Sequence, residues 1–290
     1  MTQANELRMQ QYREAIERHL EACFTGSAPQ KTLFDAMRYS LLAGGKRIRP
    51  VLTLEFTRLC GADPMQAIPV AAAIEMVHTY SLIHDDLPCM DNDDYRRGRL
   101  TNHKVYGEAI AVLAGDALLT AAFSHIAASG LPPKVIADCE GILADAAGEN
   151  GMVGGQVLDM EGETKALTED EVHCVHALKT GRLISAACCL GVAAAQGSGA
   201  QLAAAKEYAE ALGLAFQIRD DMLDVLGDAK KLGKATHMDE KKTTFVDLYG
   251  VDQCAKMVKE ETQRAISALG VFADHSFLAE LANDLAARDH

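Results

Sequence analysis

The sequence has no tryptophan, only 5% aromatic residues and seven prolines in 290 positions, and every proline lies at or before Pro133. The remaining 157 residues are rich in Ala, Leu, Glu, Lys and Gln and carry none of the residue that most effectively ends a helix. Strand-like alternation bounded by turn residues is scarce, so a β architecture is excluded and long helices are expected. An excess of basic charge is also missing. The formal charge is −13, which argues against a nucleic-acid partner, since affinity for a phosphate backbone comes largely from a basic surface. The eight cysteines, at 23, 60, 89, 139, 174, 188, 189 and 254, show no zinc-like or thioredoxin-like spacing. Most are expected to be small buried hydrophobes, with Cys89 the exception. Met1 to Glu17 is charged throughout, with no apolar core of signal-peptide type, and no uninterrupted apolar run reaches about 18 residues. A cytoplasmic protein without stable membrane insertion is expected. No stretch has linker composition, so residues 1–290 are read as a single domain.

The 49% of hydrophobic residues suffices for a core. Apolar periodicity predicts helices near 5–23, 31–43, 50–60, 66–87, 107–128, 132–149, 168–196, 200–226, 251–269 and 274–288, hence an all-α bundle of ten or more helices. Two of these close on aspartate clusters: His84-Asp85-Asp86-Leu87-Pro88-Cys89-Met90-Asp91, and Gln217-Ile218-Arg219-Asp220-Asp221-Met222-Leu223-Asp224. A single Asp-Asp pair reads most simply as a solvated helix end. Two such clusters, each following an apolar helix, are different, because adjacent carboxylates repel and lose solvation unless a cation compensates them. Magnesium takes oxygen ligands, keeps waters and bridges carboxylates to phosphate oxygens, so a diphosphate held between the clusters is the natural ligand. Manganese accepts the same donors. In the second cluster Asp220 and Asp224 stand one helical turn apart, and the motif can lie wholly on a helix. In the first, Pro88 should stop the helix near Leu87 and return Asp91 on a loop.

The cations of this acidic chain gather near these motifs. Gly44-Gly45 is a helix stop, and Lys46, Arg47 and Arg49 follow it with Pro50 placed to open the next helix; Arg96, Arg97 and Arg99 form a second group. Together they suggest an anion cradle, although either alone could be an ordinary charged turn. His78 lies two helical turns before Asp85 and points to the same face. A lone histidine on an apolar helix is more often a core residue, and the shared face favours substrate contact.

With these residues in hand, the chain resembles the trans-isoprenyl diphosphate synthase (polyprenyl synthetase) family and is most similar to its short bacterial farnesyl diphosphate synthases. The resemblance runs nearly end to end through Gly44 to Pro50, Tyr80 to Asp91, Arg96-Arg97-Gly98, Leu113 to Leu118, Gly154-Gly155-Gln156, Lys179-Thr180-Gly181 and Phe216 to Asp224. It implies an isoprenoid synthase fold around a central cavity, a homodimer, and three magnesium ions held by Asp85, Asp86, Asp91, Asp220, Asp221 and Asp224. It implies further that Arg96, Lys179 and Lys234 grip an allylic diphosphate, dimethylallyl or geranyl, while Lys46, Arg49, His78 and Arg97 hold isopentenyl diphosphate. Thr180 and Gln217 would place oxygen dipoles near the developing cation, acting with Lys179 and Lys234 in catalysis. Tyr80 and Ser81 would set chain length. Tyr80 lies about 7 Å below Asp85 on an ideal helix, where its ring should stop growth near fifteen carbons. After Leu232-Gly233-Lys234 the chain to Lys242 is shorter than the family pattern by about two residues and lacks a glycine, so no role is carried to Lys241 or Lys242.

The activity implied is condensation of isopentenyl diphosphate with dimethylallyl and geranyl diphosphates to farnesyl diphosphate. Geranyl or geranylgeranyl diphosphate synthesis is the rival within that class. A terpene cyclase is disfavoured because its second metal motif normally mixes Asn, Ser or Thr with Glu. A noncatalytic regulatory subunit would be expected to have lost one cluster or the Lys-Arg cradle, and both stand intact.

Overall fold

The computed structural model describes residues 1–27, 29–226 and 243–288; Lys234, Lys241 and Lys242 lie outside the described residues. The molecule is all-α. Helix α1 (Gln3–Ala22) is followed by α2 (Lys31–Leu41), α3 (Ile48–Leu59), α4 (Ile68–Asp85), α5 (Asn102–Tyr106), α6 (Glu108–Ala127), α7 (Pro133–Ala147), α8 (Met152–Gly162), α9 (Glu169–His176), α10 (Arg182–Ala194) and α11 (Gly199–Leu226). Helices Phe245–Tyr249, Val251–Ala268 and Ser276–Ala287 complete the described chain.

The predicted long helices all form, with ends displaced by a few residues. Three differences are physical. Helix α3 begins at Ile48 rather than Pro50, because Arg47 takes a left-handed backbone conformation (φ 52°) and starts the helix itself. The segment predicted at 168–196 is α9 and α10 joined by a single π turn, Ala177–Gly181. Helix α8, rich in glycine, carries too little apolar periodicity to be read from the sequence. The sequence reading also missed the two-stranded hairpin Tyr95–Arg96 and Arg99–Leu100. Its two-residue turn, Arg97-Gly98, has positive φ at both positions (54° and 74°), the geometry that matches strand twist.

Helices α4 and α10 are buried nearly all round, including Val70 to Val77 and Leu183 to Val192, as expected of central helices. Thr53 and Thr57 of α3 donate to the Ala187 and Gly191 carbonyls of α10 at 2.9 and 3.1 Å, tying the two helices without burying an unpaired hydroxyl. Thr168 and Glu171 form a capping box that starts α9. Five of the eight cysteines are buried, and Cys89 and Cys174 are exposed. Glu108–Ala127 and the continuous Glu169–Ala194 are long and apolar enough to cross a membrane by length and composition alone. Of the apolar window in each, 33% and 56% is buried within the fold.

Candidate active site

Helix α4 ends at Asp85, and the chain turns at Leu87 and Pro88 as the sequence predicts. The Asp91 amide donates to the Asp85 carbonyl at 2.8 Å, and the Asn92 amide to that of Leu87 at 3.1 Å. This return brings Asp91 back beside Asp85. Asp86 is buried and takes Nε and a terminal nitrogen of Arg96 at 2.7 and 2.6 Å. Burial pushes its carboxyl up, and Arg96 only partly offsets this. Burial also raises Asp85, with Lys179 opposing and Asp91 adding, to about 6.

Beneath this motif the Tyr80 ring is buried and meets the His84 ring edge-on at 5.6 Å, and burial pushes its phenol up to about 12. Ser81 donates to the His78 carbonyl at 2.9 Å. Helix α6 closes against the motif at Gly115, where a Cβ would stand 2.1 Å from His84 Nε2.

The second motif lies wholly on α11 and lines a cavity of about 180 Å³ together with Asp159, His176, Lys179, Thr180 and Gln217. Lys179 and Thr180 reach it from the π turn, a local widening that re-aims side chains within an otherwise regular helix. Gly155 of α8 permits that turn to approach, since a Cβ there would stand 2.3 Å from the Lys179 amide nitrogen. Lys179 Nζ pairs with Asp159 at 2.6 Å while its charge also acts on Asp85, so this one ammonium lies between the two motifs. His176 Nδ1 is 3.0 Å from Gln217 Oε1, and its ring stacks on Phe245.

The three aspartates of α11 differ. Asp220 pairs with Arg288 at 2.6 Å. Asp221 is buried and accepts the Phe245 amide at 2.8 Å, holding the start of the next helix against the cavity. Asp224 is buried, and its Oδ1 has no hydrogen-bond partner among the described residues. That orphaned acceptor and the raised Asp85 are what carboxylates arranged for a cation present. The donor set is all oxygen and fits magnesium. Among the described residues, neither motif brings three ligand oxygens within 4.8 Å of one another, which suits ions shared with phosphate oxygens better than a cage made by protein alone.

A cavity of about 460 Å³ holds Lys46, Arg49, His78 and Arg97, the four residues that the resemblance assigns to isopentenyl diphosphate. Arg49 Nε is buried without a hydrogen-bond partner among the described residues. Burial first, then Arg49, Arg97 and other guanidinium groups, hold His78 well below its ordinary value, so it is neutral at pH 7. Arg97 donates to the Gly44 carbonyl and covers Gly45. Arg47 also lines this cavity, but its guanidinium is held by partners of its own. It is buried against Glu75 at 2.6 Å, Glu17 at 2.8 Å and the Leu41 carbonyl at 2.7 Å. Phe216 lines this cavity and Gln217 the previous one, so consecutive residues of α11 separate them.

The sequence reading missed Asp159, His176 and Arg288. Asp159 lies one turn after Gly155 on an unrecognised helix, and Arg288 folds back from the C-terminal end, stacking on Phe216 at 3.8 Å. Neither position carries a local signal.

The raised Asp85 predicts a pH dependence. Its folded value lies above the ordinary carboxylate value, so the metal-free fold gains stability from this group as pH falls through about 6. A proton then competes with a cation. Magnesium affinity of the substrate-free protein, measured by calorimetry, is expected to be level above about pH 7 and to fall below about pH 6. Equal affinity at about pH 5 and pH 7 would contradict this account.

A family model described as polyprenyl synthetase matches residues 30–275. A protein named farnesyl diphosphate synthase from Geobacillus stearothermophilus is 47% identical over 284 residues, covering 95% of this chain and 94% of that protein. One named geranylgeranyl diphosphate synthase from Cyanophora paradoxa is 45% identical over 250 residues, 81% of each chain. The crystal structure of an FPP/GFPP synthase from Zymomonas mobilis is similar with a TM-score of 0.90 and 35% identity, over 99% of this chain and 100% of that one.

Proposed function

Because the chain belongs to the polyprenyl synthetase family and is a prenyltransferase, we propose that it condenses isopentenyl diphosphate with dimethylallyl and then geranyl diphosphate to yield farnesyl diphosphate. The observation that carries this reading is Lys179, whose ammonium, presented by the π turn, stands between the two aspartate motifs. A diphosphate leaving group placed there meets one fixed cation and two sets of carboxylates.

Magnesium, three ions bound by Asp85, Asp86, Asp91, Asp220 and Asp224, would neutralise the diphosphate and polarise its bond to carbon. Asp221 acts from behind by fixing the Phe245 amide. Lys179 holds the departing diphosphate, so its carbon–oxygen bond ionises to an allylic cation, and Arg96, steadied by Asp86, serves the same anion. Thr180 and Gln217 line the cavity with oxygen dipoles that favour positive charge. Lys46, Arg49 and Arg97 bind isopentenyl diphosphate, and neutral His78 contributes a hydrogen bond. The isopentenyl double bond attacks the cation, and the released diphosphate takes the proton lost afterwards. No side-chain nucleophile is required, and apolar walls keep water from the cation.

Tyr80 is buried below Asp85, edge-on to His84, where its ring would stop a descending chain, and this position supports the fifteen-carbon product. Tyr80→Ala is expected to move the main product to twenty carbons or more, read by mass spectrometry. An unchanged farnesyl product would remove Tyr80 from this role. The relative named geranylgeranyl diphosphate synthase makes the longer product the second reading. Incubating the protein with isopentenyl and dimethylallyl diphosphates, with magnesium or with chelator, decides between them. Farnesyl diphosphate formed only with metal supports the first, geranylgeranyl diphosphate the second, and no product from folded protein defeats both.

The same reading takes the chain as a single catalytic unit over residues 1–290, acting in the cytoplasm as a homodimer. Helix α6 supports a dimer: Val112 and Leu113 are exposed on an apolar helix that buries only a third of its window within one subunit.

A further inference from the structure

At the end of the molecule where α1 and α6 finish, three metal-ligating side chains converge. His19 and Cys23 lie four residues apart and so share one face of the chain at the close of α1, and His125 comes from the last turn of α6. One ligand atom from each lies within 4.8 Å of the other two. Cys23 Sγ is 3.4 Å from His125 Nε2. His125 Nδ1 is 2.9 Å from the Ala121 carbonyl, a contact that makes Nδ1 the proton-bearing nitrogen and leaves the Nε2 lone pair facing Cys23. His19 Nε2 is buried with no hydrogen-bond partner among the described residues. We propose that His19, Cys23 and His125 form a transition-metal site, with two imidazoles, one thiolate and a fourth position open to water, whose preferred occupant is zinc.

The donor chemistry selects the metal. One sulfur and two imidazole nitrogens suit zinc, whereas magnesium and calcium require oxygen. Ordinary zinc bond lengths at a tetrahedral centre place ligand atoms about 3.3 to 3.6 Å apart. The Cys23 and His125 pair already has that separation, and the third ligand needs only a small approach. The two imidazoles meet edge-on with centroids 5.8 Å apart, and the Phe24 ring lies tilted beside His125 at 6.1 Å. Burial holds the His19 imidazole down, so it is neutral and offers a lone pair, and holds the Cys23 thiol up, so Cys23 must give up its proton to ligate. Both histidines are partly exposed, which provides an entry path.

On binding, the Cys23 S–H bond breaks, a sulfur–metal bond forms and the proton passes to solvent, with no change in oxidation state. Among the described residues, the one other hydrogen bond of the thiol is to the His19 carbonyl at 3.2 Å, which the metal replaces. Arg38 donates to the Cys23 carbonyl and favours the thiolate by its charge. The result is a clasp between α1 and α6 remote from the aspartate motifs in sequence and chemistry.

Cobalt provides the test because its spectrum reports sulfur ligation. The whole protein, with excess magnesium present to occupy the aspartate sites, is titrated with Co2+. A thiolate-to-cobalt charge-transfer band and intense visible bands of tetrahedral cobalt are expected, saturating at one equivalent and abolished by added zinc. Cys23→Ser is expected to remove the charge-transfer band and His125→Gln to weaken binding at least about 100-fold, both without effect on magnesium-dependent prenyl transfer. No charge-transfer band at one equivalent, or a band that persists in folded Cys23→Ser, overturns the proposal. Wild-type protein supplies an independent check: zinc is expected to slow alkylation of Cys23, mapped by mass spectrometry, and an unchanged rate overturns it equally.

Discussion

Asp85→Asn is expected to lower turnover by about 10³-fold, on the scale of removing a central electrostatic contact from an active site, while the helical spectrum stays that of the wild type. The substitution keeps the size of the side chain. It also keeps the hydrogen bond from the Asp91 amide, which goes to the Asp85 backbone carbonyl. What is lost is a partly buried negative charge beside Asp86 and Asp91 that nothing among the described residues fully neutralises. Above pH 6 that charge costs the metal-free fold stability, so the asparagine variant should melt at an equal or higher temperature. Steady-state kinetics with saturating magnesium, paired with thermal denaturation, separates the two effects. Turnover within tenfold of the wild type would mean that Asp85 holds no metal needed for ionisation, and a large drop in melting temperature would make its role structural.

The largest effect on stability is expected at Glu75, a residue of α4 outside the aspartate motifs. Glu75 and Arg47 are each 2% exposed and 2.6 Å apart. Removing one partner of a buried ion pair strands the other, at a cost of about 3 to 5 kcal/mol. Glu75→Ala should cost that much in urea denaturation, because Glu17 is half-buried and meets Arg47 from only one side. Glu75→Gln, which retains a hydrogen-bond acceptor, should cost less. The same carboxylate acts on Arg49 and Arg97, so its loss also raises the positive charge felt in the cavity they line. A change below about 1 kcal/mol for Glu75→Ala would show that Arg47 finds other partners or water.

Arg47 and Arg49 carry the same charge two positions apart and end in different environments. Both belong to one basic run after Gly44-Gly45, and charge and spacing alone make them equivalent, although the resemblance gives a substrate role to Arg49 and none to Arg47. The left-handed backbone at Arg47 turns its guanidinium into the interior, where two carboxylates and a carbonyl wait, while Arg49 faces the cavity with an orphaned donor. The aspartates of α11 divide in the same way. Spacing places Asp220 and Asp224 on one face, yet only the fold shows Asp220 against Arg288 and Asp221 holding a backbone amide. His19, Cys23 and His125 are the extreme case, since the third ligand lies 102 positions from the second and no spacing rule links them.

Local rules were sufficient wherever the cause was local. Proline at 88 ends α4 and returns Asp91, the proline-free half of the chain forms long helices, and apolar periodicity marks the faces that become the core. These outcomes depend on backbone sterics and on burial of one helix face, which act over a few residues. The tertiary structure alone decided which charges are paired, which are left uncompensated and which helix turns are deformed. Gly155 lets α8 lie against the π turn that carries Lys179, and Lys179 is shared between motifs because that turn packs on α11 while α10 packs on α4. Such choices follow from the desolvation of groups brought together from distant parts of the chain, and a carboxylate or guanidinium has no assigned partner until that packing is complete.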